Sequence, residues 1–520
     1  MRRIFCVPVL LLLVLIVVAI FPAAGLCQSK PAVKLGNEVL LESYRHLIVG
    51  KKVGLVTNQT GVDSRRKSLI HILAAAPDVN LVALYAPEHG LDGVARAGAW
   101  VASYEHPELR IPVHSLYGAT RRPTREMLQG IDVLLFDIQD IGARTYTYMA
   151  TLQYCMVAAE KYNKPVVVLD RPNPLGGMIV EGPVLEDPFI TFVGPDNLPM
   201  AHGMTAGELG RFFNRKIGAS LTVVPMEGYY RNMTFEETGL PFVQTSPNVP
   251  DLKSAYGYMA TGLAEGTGVY QADKFHWVGG RGLNAERFAE LLNGAGLPGV
   301  RFVPEVRGTA GGVRLDIYDP YRFNPAKSGI YALAYAFQLG DFKVPKSTPG
   351  NMVMFDKVMG TDKFGIWLEE GLTPQQIEAR YSPALQRFKQ EREQYLLTQY
   401  APRLSVVVDG VTLVSNPDPF IDGQNRLMIP LRAVAEGLGA QVHWEAQTRL
   451  ITIKRDNITL HFTVDSTVVS VNGVEYEMDT VPLIKNSRTV VPLRFAAEYL
   501  GATVNWNDTM RRAVVTIPKS

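Results

Sequence analysis

The chain has 520 residues, of which 47% are apolar and 20% charged, with 46 Gly and 34 Pro. That balance excludes a disordered, collagen-like or coiled-coil protein, and the length points to roughly three domains. Lys and Arg number 52 against 50 Asp and Glu, a net charge of +2 that leaves no electrostatic footprint for nucleic acid.

The first residues read as a targeting segment. Arg2 and Arg3 precede an apolar run from Val7 to Phe21, and Ala23, Ala24 and Gly25 follow. A charged start, a greasy middle and a small-residue end predict a secretory signal over residues 1–27. The alternative is an uncleaved anchor, the only membrane link expected. Leu26 is too bulky to precede a lipidated Cys27, and with Cys6 in the leader only Cys27 and Cys155 remain. Disulfides are not expected to hold the exported chain together. Its expected location is secreted or on the cell envelope.

Strand-like and helix-like runs alternate from Val53 to Asp170. The strands are Val53–Thr57, Leu81–Tyr85, Asp132–Asp137 and Pro165–Asp170, with helical spacing over Lys67–Ala76 and Tyr148–Tyr162. Continuous apolar runs mark strands buried on both faces of a parallel sheet. The pattern predicts a doubly wound, Rossmann-like α/β domain over 33–229.

Each strand stops at a polar cluster: Thr57-Asn58-Gln59, Glu88-His89-Gly90, Asp137-Ile138-Gln139-Asp140 and Asp170-Arg171-Pro172-Asn173. Ligands of open α/β sheets bind beyond the carboxyl ends of the strands, so these clusters should converge on one crevice. Neither G-x-G-x-x-G after the first strand nor a P-loop occurs, so no nucleotide cofactor is expected.

Beyond Gly182 the pattern loosens. Thr205 and Glu208 form a capping box opening a helix through Phe213, and Thr373, Pro374 and Gln376 make a similar start. With a helix near Ala285–Leu292, residues 230–400 read as a smaller α+β domain closing over the crevice. Residues 403–520, beginning just after Pro402, hold an internal repeat. Arg426 to Ala440, with P-L-R at Pro430-Leu431-Arg432, recurs 62 residues later as Arg488 to Ala502, with Pro492-Leu493-Arg494. Each unit runs on to a tryptophan, Trp444 or Trp506, and follows a hairpin signal, Val408-Asp409-Gly410 or Val471-Asn472-Gly473. This is an α+β module of two repeats, with no catalytic pattern in it.

Several strings resemble the exo-β-N-acetylmuramidase family: Tyr85 to Gly90, Phe136 to Tyr148 with D-I-Q-D-x-G-A-R, and Leu169 to Pro174 with D-R-P-N-P. Glu181-Gly182-Pro183, His202 to Glu208 and Ser246-Pro247-Asn248 extend the likeness over roughly residues 35–400. The resemblance implies a Rossmann-like domain plus a smaller one with the active site between them. It also implies release of N-acetylmuramic acid from the non-reducing end of peptidoglycan fragments. The repeats resemble the bacterial stalk domain, also called the copper amine oxidase N-terminal-like domain, and imply contact with the cell envelope. His443 and His461 make no ligand cluster, so that name does not bring copper. The chain departs from the family after Glu265-Gly266-Thr267, where an asparagine and a G-R-G-T string are replaced by Gly268 to Gly280.

Glycoside cleavage ordinarily uses two carboxyls across the scissile bond, one keeping a proton for the leaving oxygen. Glu88 is the first candidate acid, and Asp137, Asp140, Glu181 and Glu265 all remain for the second carboxyl, with Glu181 and Glu265 favoured. Arg144 and Arg171 carry guanidinium forks suited to the lactyl carboxylate of muramic acid, or else pair with Asp140 or Asp170. Asp137 is expected to orient Arg144 or a turn. His89, Gln139, Asp140, Tyr146, Tyr148, Asp170, Asn173, His202 and Asn248 complete the expected sugar-binding set. Two further readings stay open. A metal-dependent hydrolase would gather His89, Asp92, Asp137, Asp140, Asp170 and His202, although no metal-ligand spacing appears and no metal is expected. A non-catalytic envelope protein would keep the crevice without the chemistry.

Overall fold

The computed structural model describes residues 33–518 except 414 and 509. The predicted signal, with Cys6 and Cys27, lies outside the described residues. The first sheet has seven strands: β1 Lys52–Thr57, β2 Asn80–Ala86, β3 Tyr104–Glu105, β4 Pro112–Ser115, β5 Val133–Asp137, β6 Val166–Leu169 and β7 Leu221–Val224. Their order is β3-β4-β2-β1-β5-β6-β7, parallel throughout except for the short edge strand β3.

Both faces of this sheet are covered. Side chains alternate along a strand, so Val53, Leu55 and Leu135 face one way, and Val56, Leu134 and Phe136 the other. Helices α1 (Gly36–Ser43) and α2 (Leu69–Ala74) bring Val39, Leu40, Leu69 and Leu73 to the first face. After α3 (Arg125–Gln129), α4 (Tyr148–Lys161) and α5 (Ala206–Ile217) bring Met149, Leu152, Leu209 and Phe212 to the second. The helix read at Lys67–Ala76 is shorter, because the turn at Asp63 holds Arg65 and Lys67 through their backbone N–H groups. The Thr205–Glu208 capping box is formed, and its helix runs past Phe213 to Ile217.

The smaller domain is built on a four-stranded antiparallel sheet, order β10-β11-β9-β8. Its elements run α6 (Leu252–Thr261), β8 (Val269–Ala272), β9 (Trp277–Arg281), α7 (Ala285–Gly294), β10 (Val300–Arg307), β11 (Ala310–Ile317) and α8 (Pro325–Leu339). Three helices complete it: α9 (Met354–Met359), α10 (Lys363–Glu369) and α11 (Pro374–Arg392). The divergent segment after Glu265 forms the β8–β9 hairpin, turning through left-handed Asp273, Lys274 and Phe275. Phe275 then packs against Tyr258 of α6, ring centroids 4.9 Å apart.

One apolar core runs without a break from the second face of the large sheet into this domain. Polar clamps cross the same boundary. Arg144 donates to Val358 O at 2.5 Å, Arg392 to Gly203 O at 3.0 Å, and Tyr381 to Glu181 at 3.0 Å.

The C-terminal module has its own core. The predicted turns are hairpins: Asp409-Gly410 joins β12 (Ser405–Val408) to β13 (Val411–Thr412), and Asn472-Gly473 joins two strands, Val468–Val471 and Val474–Glu477. All four turn residues have positive φ, as a type I′ turn requires. The repeats meet where strand Leu427–Pro430 pairs antiparallel with Arg488–Pro492, Ile429 opposite Val491. The module is docked on the rest of the chain. Arg512, 2% exposed, donates to Glu237 at 3.0 Å and lies 3.9 Å over the Tyr321 ring, while Asn232 donates to the carbonyls of Arg403 and Met510.

Candidate active site

The strand order reverses between β1 and β5, the point beyond whose carboxyl ends open α/β sheets bind their ligands. The four predicted clusters flank that point. Thr57 Oγ1 donates to Asp137 O at 2.9 Å, and Thr60 Oγ1 accepts from the Gln139 N–H at 2.9 Å. Gln139 in turn donates its amide to Asp140 O and Pro172 O, tying the third cluster to the fourth.

Glu88 lies just past the end of β2 and is 7% exposed. Its Oε1 accepts from the Gly98 N–H at 2.8 Å and its Oε2 from Thr147 Oγ1 at 2.6 Å. Thr147 is the residue that caps α4. His89 follows with φ +72°, a conformation that costs a non-glycine residue on the order of 1–3 kcal/mol. Its Nδ1 lies 2.7 Å from Ala95 O, and its ring meets Tyr148 edge-on at 6.4 Å.

Tyrosines cluster beside His89. Tyr146 packs edge-on against both Tyr148, at 4.9 Å, and Tyr258, at 5.7 Å. Tyr146 OH donates to Thr245 Oγ1 at 2.8 Å and Tyr148 OH to Thr245 O, so both rings are buried and pinned. Thr145 Oγ1 donates to Tyr258 OH at 3.3 Å. Burial pushes the Tyr258 phenol up to about 12, and the negative fields of Glu88, Glu265 and Asp140 act in the same direction.

Asp140 and His202 form a second polar pair. Asp140 Oδ2 accepts from the Gly142 N–H at 2.7 Å, and His202 Nδ1 accepts from the Met204 N–H at 3.2 Å. That assignment leaves the proton on His202 Nε2, which sits 3.7 Å from Asp140 Oδ2, beyond hydrogen-bond length. His202 Nε2 and Asp140 Oδ1 are both buried without a partner among the described residues, and such atoms call for a water or ligand group.

The arginines have other work. Arg171 Nε donates to Asp137 Oδ1 at 2.6 Å and its Nη2 to Val62 O at 2.7 Å, deep under the crevice. Asp137 thus orients Arg171, not Arg144, and also accepts from Asn37. Arg144 pairs with neither Asp140 nor Asp170. Its Nη groups donate to the carbonyls of Pro183, Leu198 and Val358, and burial brings its guanidinium down to about 9. Asp170 accepts from Thr205 Oγ1, the Gly207 N–H and Tyr400 OH, and burial raises it to about 7.

Three further expected residues lie apart from Glu88's partners. Glu181 accepts from Tyr381 OH, the Gly182 N–H and Asn324, at the boundary with the smaller domain. Asn173 bridges Met204 O and the Leu175 N–H, and Gly142 comes so close that a Cβ there would lie 2.2 Å from the Asn173 side chain. Asn248 is exposed in the turn closed by Ser246 and Val249. Sequence reasoning missed Thr147 and Tyr258. Thr147 stood inside the quoted D-I-Q-D string without a role, and Tyr258 lies on a helix that carries no motif. It also missed Gln59, whose Nε2 donates to Gln244 O and Thr245 O while its buried Oε1 lacks a partner among the described residues.

The copper of the stalk domain's other name finds no donor set. Among the described residues no three His, Cys, Asp or Glu side chains gather, and His461 Nδ1 is 3.1 Å from Thr452 Oγ1.

Comparison with known proteins agrees with this layout. Residues 53–253 match the family described as "Exo-beta-N-acetylmuramidase NamZ, N-terminal", and 256–397 match its C-terminal counterpart. Residues 407–515 match the "Copper amine oxidase N-terminal domain". The chain is 40% identical over 384 residues to the peptidoglycan beta-N-acetylmuramidase NamZ of Bacillus subtilis (strain 168), covering 71% of this chain and 92% of that protein. A protease inhibitor of Brevibacillus choshinensis is 33% identical over 105 residues, 20% of this chain and 32% of that one. Among solved structures, a DUF1343 family protein from Bacteroides fragilis NCTC 9343 superposes with TM-score 0.63 at 35% identity, over 71% of this chain and 99% of that one. A second from the same organism gives 0.53 at 26%, over 70% and 98%. With its crevice, its two catalytic-region domains and its strings matched together, the chain belongs to the exo-β-N-acetylmuramidase family.

Proposed function

We infer that this protein is an exo-acting glycosidase that releases N-acetylmuramic acid from the non-reducing end of peptidoglycan fragments. The observation that carries the reading is Glu88, a buried carboxyl beyond the carboxyl end of β2 whose two oxygens accept from the Gly98 N–H and the Thr147 hydroxyl.

Glu88 is the general acid in this reading. A threonine hydroxyl both donates and accepts, so Thr147 can support Glu88 as carboxylate or as carboxylic acid by turning its O–H. The proton goes to the glycosidic oxygen as the bond to the anomeric carbon breaks. Asp140 or Glu265 then faces the developing oxocarbenium charge or activates water. The Asp140–His202 pair offers an open acceptor and an open N–H to the sugar. An exo-enzyme that tells muramic acid from N-acetylglucosamine must read the lactyl ether, the group they do not share.

The test is turnover of a chromogenic muramic acid β-glycoside against its glucosamine analogue, with and without chelator. Chelator-insensitive turnover favouring the muramic compound is expected. Binding without turnover would return the protein to the non-catalytic reading, and chelator-sensitive turnover to a metal hydrolase. The leader over residues 1–27 is proposed to export the chain, and the C-terminal repeats to retain it at the wall.

A further inference from the structure

The C-terminal module carries two clefts that the catalytic reading does not use. One, of about 730 Å³, is lined by Pro430, Leu431, Arg432 and Trp444 of the first repeat and by Arg488 of the second. The other, of about 530 Å³, is lined by Pro492, Leu493, Arg494 and Trp506 of the second repeat and by Arg426 of the first. Every residue in one set stands 62 positions from its counterpart, and the leading arginine crosses over in both. The crossover follows from the central pairing of the two repeats, which places the start of each strand beside its neighbour's P-L-R. Both volumes fall in the range of small-molecule sites.

Each cleft joins one tryptophan to arginines of both repeats, with Glu436 beside them in the first and Asp479, Asp508 and Arg511 in the second. Trp444 and Trp506 are 37% and 41% exposed, large indoles left in water at matching places. Isolated exposed apolar residues need no explanation, but a matched pair inside clefts points to a ligand. An indole face is electron-rich and apolar, and so takes the C–H face of a sugar ring. Beside it, Arg432 and Arg494 reach only Glu436 and Glu498, at 3.8 and 3.5 Å, on side chains that are 65% exposed. Such pairs are weak and exchange readily for a ligand carboxylate. Arg426 pairs with Asp479, whereas Arg488 has no carboxylate within 4.0 Å among the described residues.

We propose that these clefts are two pseudo-twofold-related sites for the peptidoglycan strand, each stacking one sugar on its tryptophan and pairing an arginine with a carboxylate of the attached peptide. The occupant is chosen by charge complementarity and by the polymer the neighbouring domains act on, so the assignment rests on the wall-retention reading above. Two sites on one rigid module, engaging one polymer, gain avidity that a soluble fragment cannot supply.

Pelleting the full chain with insoluble peptidoglycan sacculi tests this. Trp444→Ala or Trp506→Ala should each weaken retention roughly 10- to 100-fold, and the double variant should stay in the supernatant. Turnover of the soluble muramoside, read on the same samples, should not change. A loss there would strike the catalytic reading, not this one. Should the tryptophan variants not fold, Arg432→Glu with Arg494→Glu, both on exposed side chains, must abolish pelleting instead. A folded double variant of either kind that pellets like the parent overturns the proposal. So does parent protein that binds uncharged chitin beads as well as it binds sacculi.

Discussion

Thr147 donates its hydroxyl to Glu88 over 2.6 Å, although 59 residues separate them and each stands at the end of a different element. The helix α4 begins at the residue after Thr147 and Glu88 follows β2, so the bond is set by the sheet and its covering helix, not by local sequence.

Glu88→Gln should lower turnover of the muramic substrate by about 10²- to 10⁴-fold with the fold intact. Near-normal turnover in that variant would remove Glu88 from the chemistry.

Thr147→Val leaves one buried Glu88 oxygen without its donor, a loss of about 1–3 kcal/mol. Turnover should fall by roughly one to two orders of magnitude and return in Thr147→Ser. A valine variant as active as the parent would show the hydroxyl to be incidental.

Arg171→Leu should act on stability before specificity. It strands Asp137, which is fully buried, and breaking such a pair costs about 3–5 kcal/mol. Denaturant melts should show that loss, and any residual activity should keep the parent's preference for muramic over glucosamine substrate. A stable variant that no longer discriminates would make Arg171 the reader of the lactyl carboxylate.

Asp170 gives stability a pH dependence of definite sign. Its folded value, about 7, lies above the ordinary 3.8, so the native state holds an extra proton between them. The corresponding stability is full below about pH 4 and is lost as pH rises through 7. The gap of about 3 pH units sets an upper bound on the order of 4 kcal/mol. Asp170→Asn should be less stable in acid, where it lacks one acceptor, but flatter with pH. Parallel curves for the two proteins between pH 4 and 8 would refute this.

A chain ending at Pro402 should keep its activity on soluble substrates, since among the described residues the hydrogen-bond partners of Glu88, Thr147 and Tyr258 all lie outside the repeats. It should nevertheless melt lower, because removing Arg512 leaves Glu237 without its guanidinium partner. Loss of soluble activity in a folded truncation would place the repeats in the active site.

The Rossmann-like sheet was legible because its strands are buried on both faces and read as unbroken apolar runs. β7 was not, since Leu221, Thr222 and Val223 are only half-buried at the sheet edge. The meeting of the polar clusters was legible from their place at the strand ends, where Thr57, Thr60 and Gln139 do bond across them. Partnerships across the fold were not. Arg144 and Arg171 looked equivalent as forks, yet one grips three carbonyls and the other a carboxylate. The difference lies in which backbone oxygens the fold leaves unpaired around each, and spacing along the chain carries no record of that. Tyr258 escaped for the same reason, being an ordinary helical tyrosine until β2 and α4 are brought beside it.

The unbroken core between the two catalytic-region domains bears on how this protein can be assembled over evolutionary time. Their shared apolar core leaves no break along which one could be separated from the other. The C-terminal repeats close their own core and touch the rest through a few polar side chains. That makes them portable, and residues 407–515 match a family model of their own, separate from the two that match the rest of the chain. The two-domain block is inherited whole, and the C-terminal module is the part that genomes can exchange.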